Sequence, residues 1–160
     1  MAKRFFGVGE LNPSNTTGTW AQVTASNVTT FNHTAGDDTS ILDFVVPTAS
    51  GYLGFDRQPI KAIKVQYTVA TAALDAAATA VLNKITVNDT TGVVTRAAVT
   101  QTLTFEGTDT TGTAAGTFFA VITPATPLTP DEGEYYTVEL TFNAAATTVL
   151  KVADVQIETT

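Results

Sequence analysis

The chain has 160 residues, of which 44% are hydrophobic and only 14% are charged, and its net charge is −7. This length suits one domain with a real core, and the low charge excludes a disordered chain, because disorder accompanies high charge and few apolar residues. The acidic balance excludes nucleic acid as a partner. The lack of cysteine predicts no disulfide, and the lack of a long apolar run predicts no membrane partner. The lack of a signal-peptide pattern predicts synthesis in a cytoplasm.

Residues 1–40 are rich in Gly, Asn and Thr, and we interpret them as an extended N-terminal arm with one short strand around residues 20–28. The arm begins with two charged and two aromatic residues, Lys3, Arg4, Phe5 and Phe6. Two interpretations of this segment stay open. The phenylalanines pack on the chain's own domain, or the segment docks on a neighbouring subunit and becomes ordered there. We expect Trp20, the one tryptophan, to anchor the arm to the domain.

Residues 41–160 show the alternation of apolar and polar residues that half-buried strands require. The alternation is clear in residues 63–69, 97–105 and 136–142. A fourth segment, residues 149–158, changes phase midway, which predicts a β-bulge near Ala153 and Asp154. Shorter apolar runs bring the total to about eight strands; they cover residues 41–46, 51–55, 81–87 and 117–123.

Turn signals separate these strands. The pattern Asp/Asn-Thr-Thr-Gly occurs at residues 15–18, 89–92 and 109–112. An Asp or Asn at the first position caps its own backbone, and the final Gly can adopt a positive φ, so the pattern favours a type I turn. We expect residues 89–92 to close a hairpin. The proline-rich segment 123–134 predicts a crossing loop, and the alanine-rich segment 71–80 is too short for an independent helix, so we favour a loop or single helical turn there.

These elements predict an all-β fold, an antiparallel two-sheet sandwich of about eight strands preceded by the extended arm. Eight short strands with long crossings favour the jelly roll. An immunoglobulin-like sandwich is the alternative, although the Cys…Trp…Cys pattern of that fold is absent. We therefore divide the chain into the arm, residues 1–40, and a β-sandwich domain, residues 41–160.

No motif in the sequence points to catalysis. His33 is the one histidine, and no serine lies in a Gly-x-Ser-x-Gly elbow, so we expect no enzyme and no cofactor. A glycosidase would need two carboxylates facing each other in a cleft, and no sequence pattern selects such a pair. Acidic loops can bind calcium, although EF-hand spacing is absent and we predict no metal; the candidate ligands are Asp37 and Asp38, or Asp131, Glu132 and Glu134.

A sugar-binding domain would use exposed aromatic side chains as stacking platforms. The alternation places Tyr67 and Tyr136 on core faces. The remaining candidates are Trp20, Tyr52 and Tyr135, which such a domain would expose together in one groove.

With its arm, its 33 threonines and its closing strands at residues 135–142 and 149–158, the sequence resembles the capsid decoration (cement) proteins of tailed bacteriophages. The resemblance implies a homotrimer on the outer surface of the virion that binds the major capsid protein and stabilises contacts between its subunits. It also implies a capsid contact through the N-terminal arm; the implied contact residues are Lys3, Arg4, Phe5, Phe6 and Trp20. The alternative function is a carbohydrate- or receptor-binding β-sandwich domain of a phage fibre or spike.

Overall fold

The computed structural model describes residues 3–7, 12–15, 19–25, 28–34, 36, 38–46 and 59–159. Their regular secondary structure consists of twelve strands: β1 Lys3–Gly7, β2 Asn12–Asn15, β3 Trp20–Ala25, β4 Val28–His33, β5 Asp38–Val46, β6 Ile60–Ala70, β7 Leu74–Val87, β8 Val94–Ala98, β9 Gln101–Gly107, β10 Gly116–Pro124, β11 Glu134–Ala144 and β12 Val149–Thr159. None of these residues belongs to a helix long and apolar enough to cross a membrane.

The strands form two antiparallel sheets. A seven-stranded sheet has the order β3-β4-β12-β6-β10-β9, with β1 also paired to β12, and a five-stranded sheet has the order β2-β5-β11-β7-β8. Within these, β4-β12-β6-β10 and β5-β11-β7-β8 are the two four-stranded halves of a jelly roll, since the chain enters them in the order of two Greek keys. The prediction of an antiparallel two-sheet sandwich is confirmed, and the strand order is that of a jelly roll.

The core lies between the two sheets, because each inner strand turns every second residue toward the other sheet. Residues 63–69 of β6 and 136–142 of β11 alternate between buried and half-buried positions along their length. At the centre, the ring of Tyr67 packs against Phe118 and Phe142, with centroid distances of 5.5 and 5.0 Å. Its hydroxyl donates a hydrogen bond of 2.7 Å to the carbonyl oxygen of Gly112. The alternation therefore placed Tyr67 and Tyr136 correctly on core faces.

The N-terminal region contains more strands than the sequence indicates. An extended arm with one short strand is expected for residues 1–40, whereas the structure has β1 to β4 and the start of β5 there. β1 pairs with β12, β2 pairs with β5, and the β3–β4 hairpin pairs with β12. Polar residues can occupy both faces of an edge strand, and β3, at one edge of the seven-stranded sheet, is mostly exposed. The apolar alternation that reveals a half-buried strand is then missing.

The alanine-rich segment is also different from the expectation. Residues 71–80 are expected to form a loop or a helical turn, but β7 begins at Leu74 and continues to Val87. Its backbone pairs with β11, and the small side chain of Ala78 is buried in the core. Local preference is a weak guide to strands, because packing against neighbouring strands decides the outcome.

One predicted strand is divided between the two sheets. Residues 97–105 read as a single strand interrupted at Gln101, but β8 ends at Ala98 in the five-stranded sheet and β9 begins at Gln101 in the seven-stranded sheet. The side-chain amide of Gln101 donates a hydrogen bond to the carbonyl oxygen of Ala80 on β7. The break in the alternation therefore marks the point where the chain crosses from one sheet to the other.

The predicted bulge and turns are confirmed where they fall on described residues. The pairing of β12 with β6 shifts register between Val152 and Asp154. β7 and β8 form the expected hairpin, although Asn88, one residue before the predicted position, caps the turn by accepting from the amides of Thr90 and Thr91. In the turn at residues 109–112, Asp109 is the cap. The strand predicted at residues 51–55 lies outside the described residues.

Candidate ligand-binding groove

An open groove of about 400 Å³ lies on the outer face of the five-stranded sheet. This face points away from the core, because Val138, which lies between Thr137 and Glu139, is fully buried, and so is Leu42, the neighbour of Asp43. The volume is near the lower end of the range for small-molecule sites. The lining residues are Asp43, Phe44 and Val45 from β5, Ile85 from β7, Arg96 from β8, and Tyr135, Thr137 and Glu139 from β11.

Strand register brings these side chains together. Glu139 on β11 lies directly opposite Asp43 on β5, and Tyr135 lies opposite Ile85 on β7. Ile85 in turn lies opposite Arg96 on β8. Arg96 extends from there to the Glu139 carboxylate, with 3.3 Å between Nη2 and Oε2. An aromatic ring, a guanidinium and two carboxylates therefore share one face within four neighbouring strands.

The two carboxylates are in different environments. Partial burial raises the pKa of Asp43, the negative charge of Glu139 raises it further, and Arg96 counteracts this in part. Among the described residues, no side chain donates a hydrogen bond to Asp43, whereas Glu139 has the guanidinium of Arg96. Within the described part of the chain, the Asp43 carboxylate is therefore available to accept hydrogen bonds from a ligand.

A buried donor without an acceptor adjoins the groove. Asn83 lies opposite Thr137, one of the lining residues, and is only 3% exposed. Its Nδ2 finds no acceptor in the described part of the chain. Buried polar groups are almost always hydrogen-bonded, so this face has unused hydrogen-bonding capacity in addition to the Asp43 carboxylate.

The chemistry of this face suits a polyhydroxylated ligand. Tyr135 and Ile85 provide apolar surface, Arg96 provides donors, and Asp43 and Glu139 provide acceptors. Aromatic rings carry a large apolar area together with a specific geometry, and a few polar groups placed around such a surface fix the orientation of a ligand.

The residues expected at a capsid or subunit contact lie elsewhere. Lys3, Arg4, Phe5 and Phe6 belong to β1, whose backbone pairs with β12 of the same chain. Trp20 lies on β3 in the seven-stranded sheet and is packed against the core. The contact with a capsid or a neighbouring subunit stays a prediction.

The three aromatic residues considered for sugar binding are not gathered in one place. Tyr135 lines the groove, but Trp20 is on the other sheet, where its ring lies 5.1 Å from that of His33. Tyr52 lies outside the described residues. Of the loop carboxylates considered for calcium, Glu134 pairs with Lys84 and accepts a hydrogen bond from the backbone amide of Asp131. Asp37 is not described, and no group of three or more possible ligands occurs in the described part of the chain.

Sequence reasoning did not identify Asp43, Arg96 and Glu139. Two weak signals were present. Asp43 is a charge in the middle of the apolar run 41–46, and Glu139 occupies the polar phase of the alternation in residues 136–142. Neither signal indicates that the two strands are neighbours, which depends on the strand order.

No protein-family model matches the sequence, and no curated protein matches it either. Solved structures with a similar fold include the xylan-binding module CBM86 from Roseburia intestinalis (TM-score 0.39, 12% identity, 100% of this chain and 97% of that chain). They also include the family 11 carbohydrate-binding module from Clostridium thermocellum (TM-score 0.40, 11% identity, 97% and 94%) and the enzymatically active domain of bacteriophage CBA120 tailspike protein 4 (TM-score 0.38, 8% identity, 93% and 19%). The chain thus spans about a fifth of the tailspike chain, and these likenesses concern the β-sandwich alone.

Proposed function

We propose that this chain is a non-enzymatic carbohydrate-binding domain whose ligand occupies the groove on the five-stranded sheet. The observation that supports this is the presence of Tyr135, Arg96, Asp43 and Glu139 on one open face. A sugar ring has an apolar face that packs on an aromatic side chain, and its rim of hydroxyls both donates and accepts hydrogen bonds. The groove offers a partner for each of these features.

A glycan array probed with the full chain, followed by calorimetry on the best ligand, tests the proposal. We expect Tyr135→Ala and Arg96→Ala each to weaken binding at least tenfold, which corresponds to about 1.4 kcal/mol. Lys151→Ala is the matched control, because it also removes one positive charge but lies exposed on β12 in the other sheet. The proposal fails if no glycan binds, or if the two groove variants bind as tightly as the control.

A glycosidase is the second candidate, because the groove contains two carboxylates. Asp43 and Glu139 are directly opposite each other, which places their Cβ atoms about 4.5–5.5 Å apart. A retaining glycosidase uses one carboxyl group as the acid and the other as the nucleophile, and the acid has a raised pKa, as Asp43 does. Release of reducing ends from bound glycans distinguishes the candidates. A binding domain gives none, whereas an enzyme gives turnover that Glu139→Gln abolishes.

Capsid binding, trimer formation and a place on the virion surface stay predictions. Light scattering of the full chain, alone and mixed with empty phage heads, measures both the oligomer and the capsid interaction. A trimer that saturates the heads would support the capsid function. A monomer that leaves the heads unbound and binds a glycan would support the carbohydrate-binding domain.

A further inference from the structure

The charges of the groove do not balance. Arg96 is engaged with Glu139 at 3.3 Å, and no cation of the described residues forms an ion pair with the neighbouring Asp43. The side chains that line the groove with Asp43 include Glu139, Thr137 and Tyr135 from β11 and Arg96 from β8; β7 contributes the apolar Ile85. On the other side of β5, the backbone of β2 pairs with it, and the register sets Asn12 opposite Asp43. With two carboxylates and one guanidinium, the described residues that line the groove carry one excess negative charge.

This excess charge is partly withdrawn from water. Burial is the largest cause of the raised pKa of Asp43, and the repulsion by Glu139 is the second. Ionised Asp43 is therefore a strong acceptor to which no side chain of the described residues donates a hydrogen bond. A ligand that donates hydrogen bonds would satisfy it, whereas a ligand that adds a third carboxylate would increase the repulsion.

We propose that the groove is selective for neutral glycans, and that Asp43 is the residue that determines this selectivity. Its carboxylate accepts hydrogen bonds from two adjacent sugar hydroxyls and repels chains that contain uronic acids. The inference rests on the proposed carbohydrate-binding function. It goes further by naming the class of ligand and by separating the role of Asp43 from that of Tyr135 and Arg96, which are needed to hold any sugar in the groove.

The test uses native affinity electrophoresis of the full chain through gels that contain one polysaccharide each. The neutral probes are xylan, mixed-linkage β-glucan, galactan and mannan, and the acidic probes are polygalacturonate and alginate. The experiment is run at 0.15 M salt, where the Debye length is about 8 Å and the repulsion between the chain's overall net charge and the acidic polymers is largely screened. The charges inside the groove then decide the outcome. We expect retardation by at least one neutral polymer and by neither acidic one.

Two variants separate the role of Asp43 from a general effect of charge. Asp43→Asn keeps the shape and removes the charge, so we expect at least a tenfold loss of affinity for the neutral polymer, with a lower ratio of neutral to acidic affinity. Asp154→Asn is the matched control, because Asp154 also has a pKa raised by burial but lies on β12 in the other sheet. This control should bind like the wild type.

The outcomes distinguish the two proposals. If acidic polymers bind the wild type as tightly as neutral ones, or if Asp43→Asn keeps full affinity, the selectivity proposal is refuted and carbohydrate binding stands. If no polymer retards the wild type, the proposed function fails, and the selectivity proposal fails with it. A pH series on the neutral polymer adds an independent readout. Wild-type affinity should fall at acidic pH as Asp43 becomes protonated, and the residual affinity of Asp43→Asn should change less over the same range.

Discussion

Removal of the Tyr67 hydroxyl tests the centre of the fold. Tyr67 is fully buried, and its ring contacts Phe118 and Phe142. Its hydroxyl donates to the carbonyl oxygen of Gly112, which joins the core to the turn at residues 109–112. Tyr67→Phe keeps the ring and removes this one hydrogen bond, so the packing contribution is unchanged to first order.

The expected cost follows from this geometry. A typical hydrogen bond contributes about 0.5–1.5 kcal/mol, and a buried acceptor left without a donor costs about 1–3 kcal/mol. We therefore expect Tyr67→Phe to lower the free energy of unfolding by about 1–3 kcal/mol at pH 7. For a domain of this size, each kcal/mol corresponds to about 2–4 °C in Tm. Tyr135→Phe removes a hydroxyl from the groove instead and should stay within about 0.5 kcal/mol of the wild type.

The pH dependence provides a second measurement. Burial, followed by the negative charge of Asp109, raises the pKa of Tyr67 well above 10. The folded state therefore retains the proton to a higher pH than the unfolded state does. The stability that this provides is complete below pH 10 and is lost as pH rises above 10, at up to about 1.4 kcal/mol per pH unit. The variant lacks this loss, so its difference from the wild type should shrink between pH 7 and pH 11.

Urea unfolding followed by circular dichroism at pH 7 and pH 11 measures both effects. The reasoning is refuted if Tyr67→Phe is as stable as the wild type at pH 7. It is also refuted if the two proteins keep a constant difference up to pH 11, because the buried hydroxyl would then not titrate as its environment requires.

Three further experiments test other parts of the structure by the same unfolding assay. Gly112→Ala should cost about 1–3 kcal/mol more than Gly92→Ala, because both glycines have a positive φ but only at Gly112 would the new Cβ overlap core side chains; equal costs would contradict this. Asp43→Asn should raise the free energy of unfolding at pH 7 by about 0.2–1 kcal/mol, since it removes a like-charge cross-strand pair. Because the pKa of Asp43 is raised in the folded state, wild-type stability should fall relative to that of the variant as pH rises above 3.8. The Nζ atom of Lys64 and the Oε1 atom of Glu106 are 2.9 Å apart. A double-mutant cycle on this pair should give a coupling energy of no more than about 1 kcal/mol, because Glu106 is largely exposed. A larger value would show that the pair is shielded from water.

The sequence by itself determined the elements that depend on local pattern. Alternation with period two identified the inner strands and placed Tyr67 and Tyr136 on core faces, because side chains of a strand point alternately to its two sides. A phase change located the bulge after Val152, and turn chemistry located the cap at Asp109 and the β7–β8 hairpin. A sheet made of such strands has one apolar face to bury, and a second sheet of the same kind can cover it, so the pattern also implied a two-sheet sandwich.

Only the tertiary structure decided which strands are neighbours, and with that the groove. Asp43, Arg96 and Glu139 are separated by up to 96 positions in the sequence, and each looks like an ordinary charge on the solvent side of a strand. They meet because β11 pairs with both β5 and β7, and β7 pairs with β8. Pairing between strands distant in sequence is set by how all the inner faces pack at once, and local pattern carries no record of it. The same reason explains β1 to β4, which are held in place by neighbours and lack a strong pattern of their own.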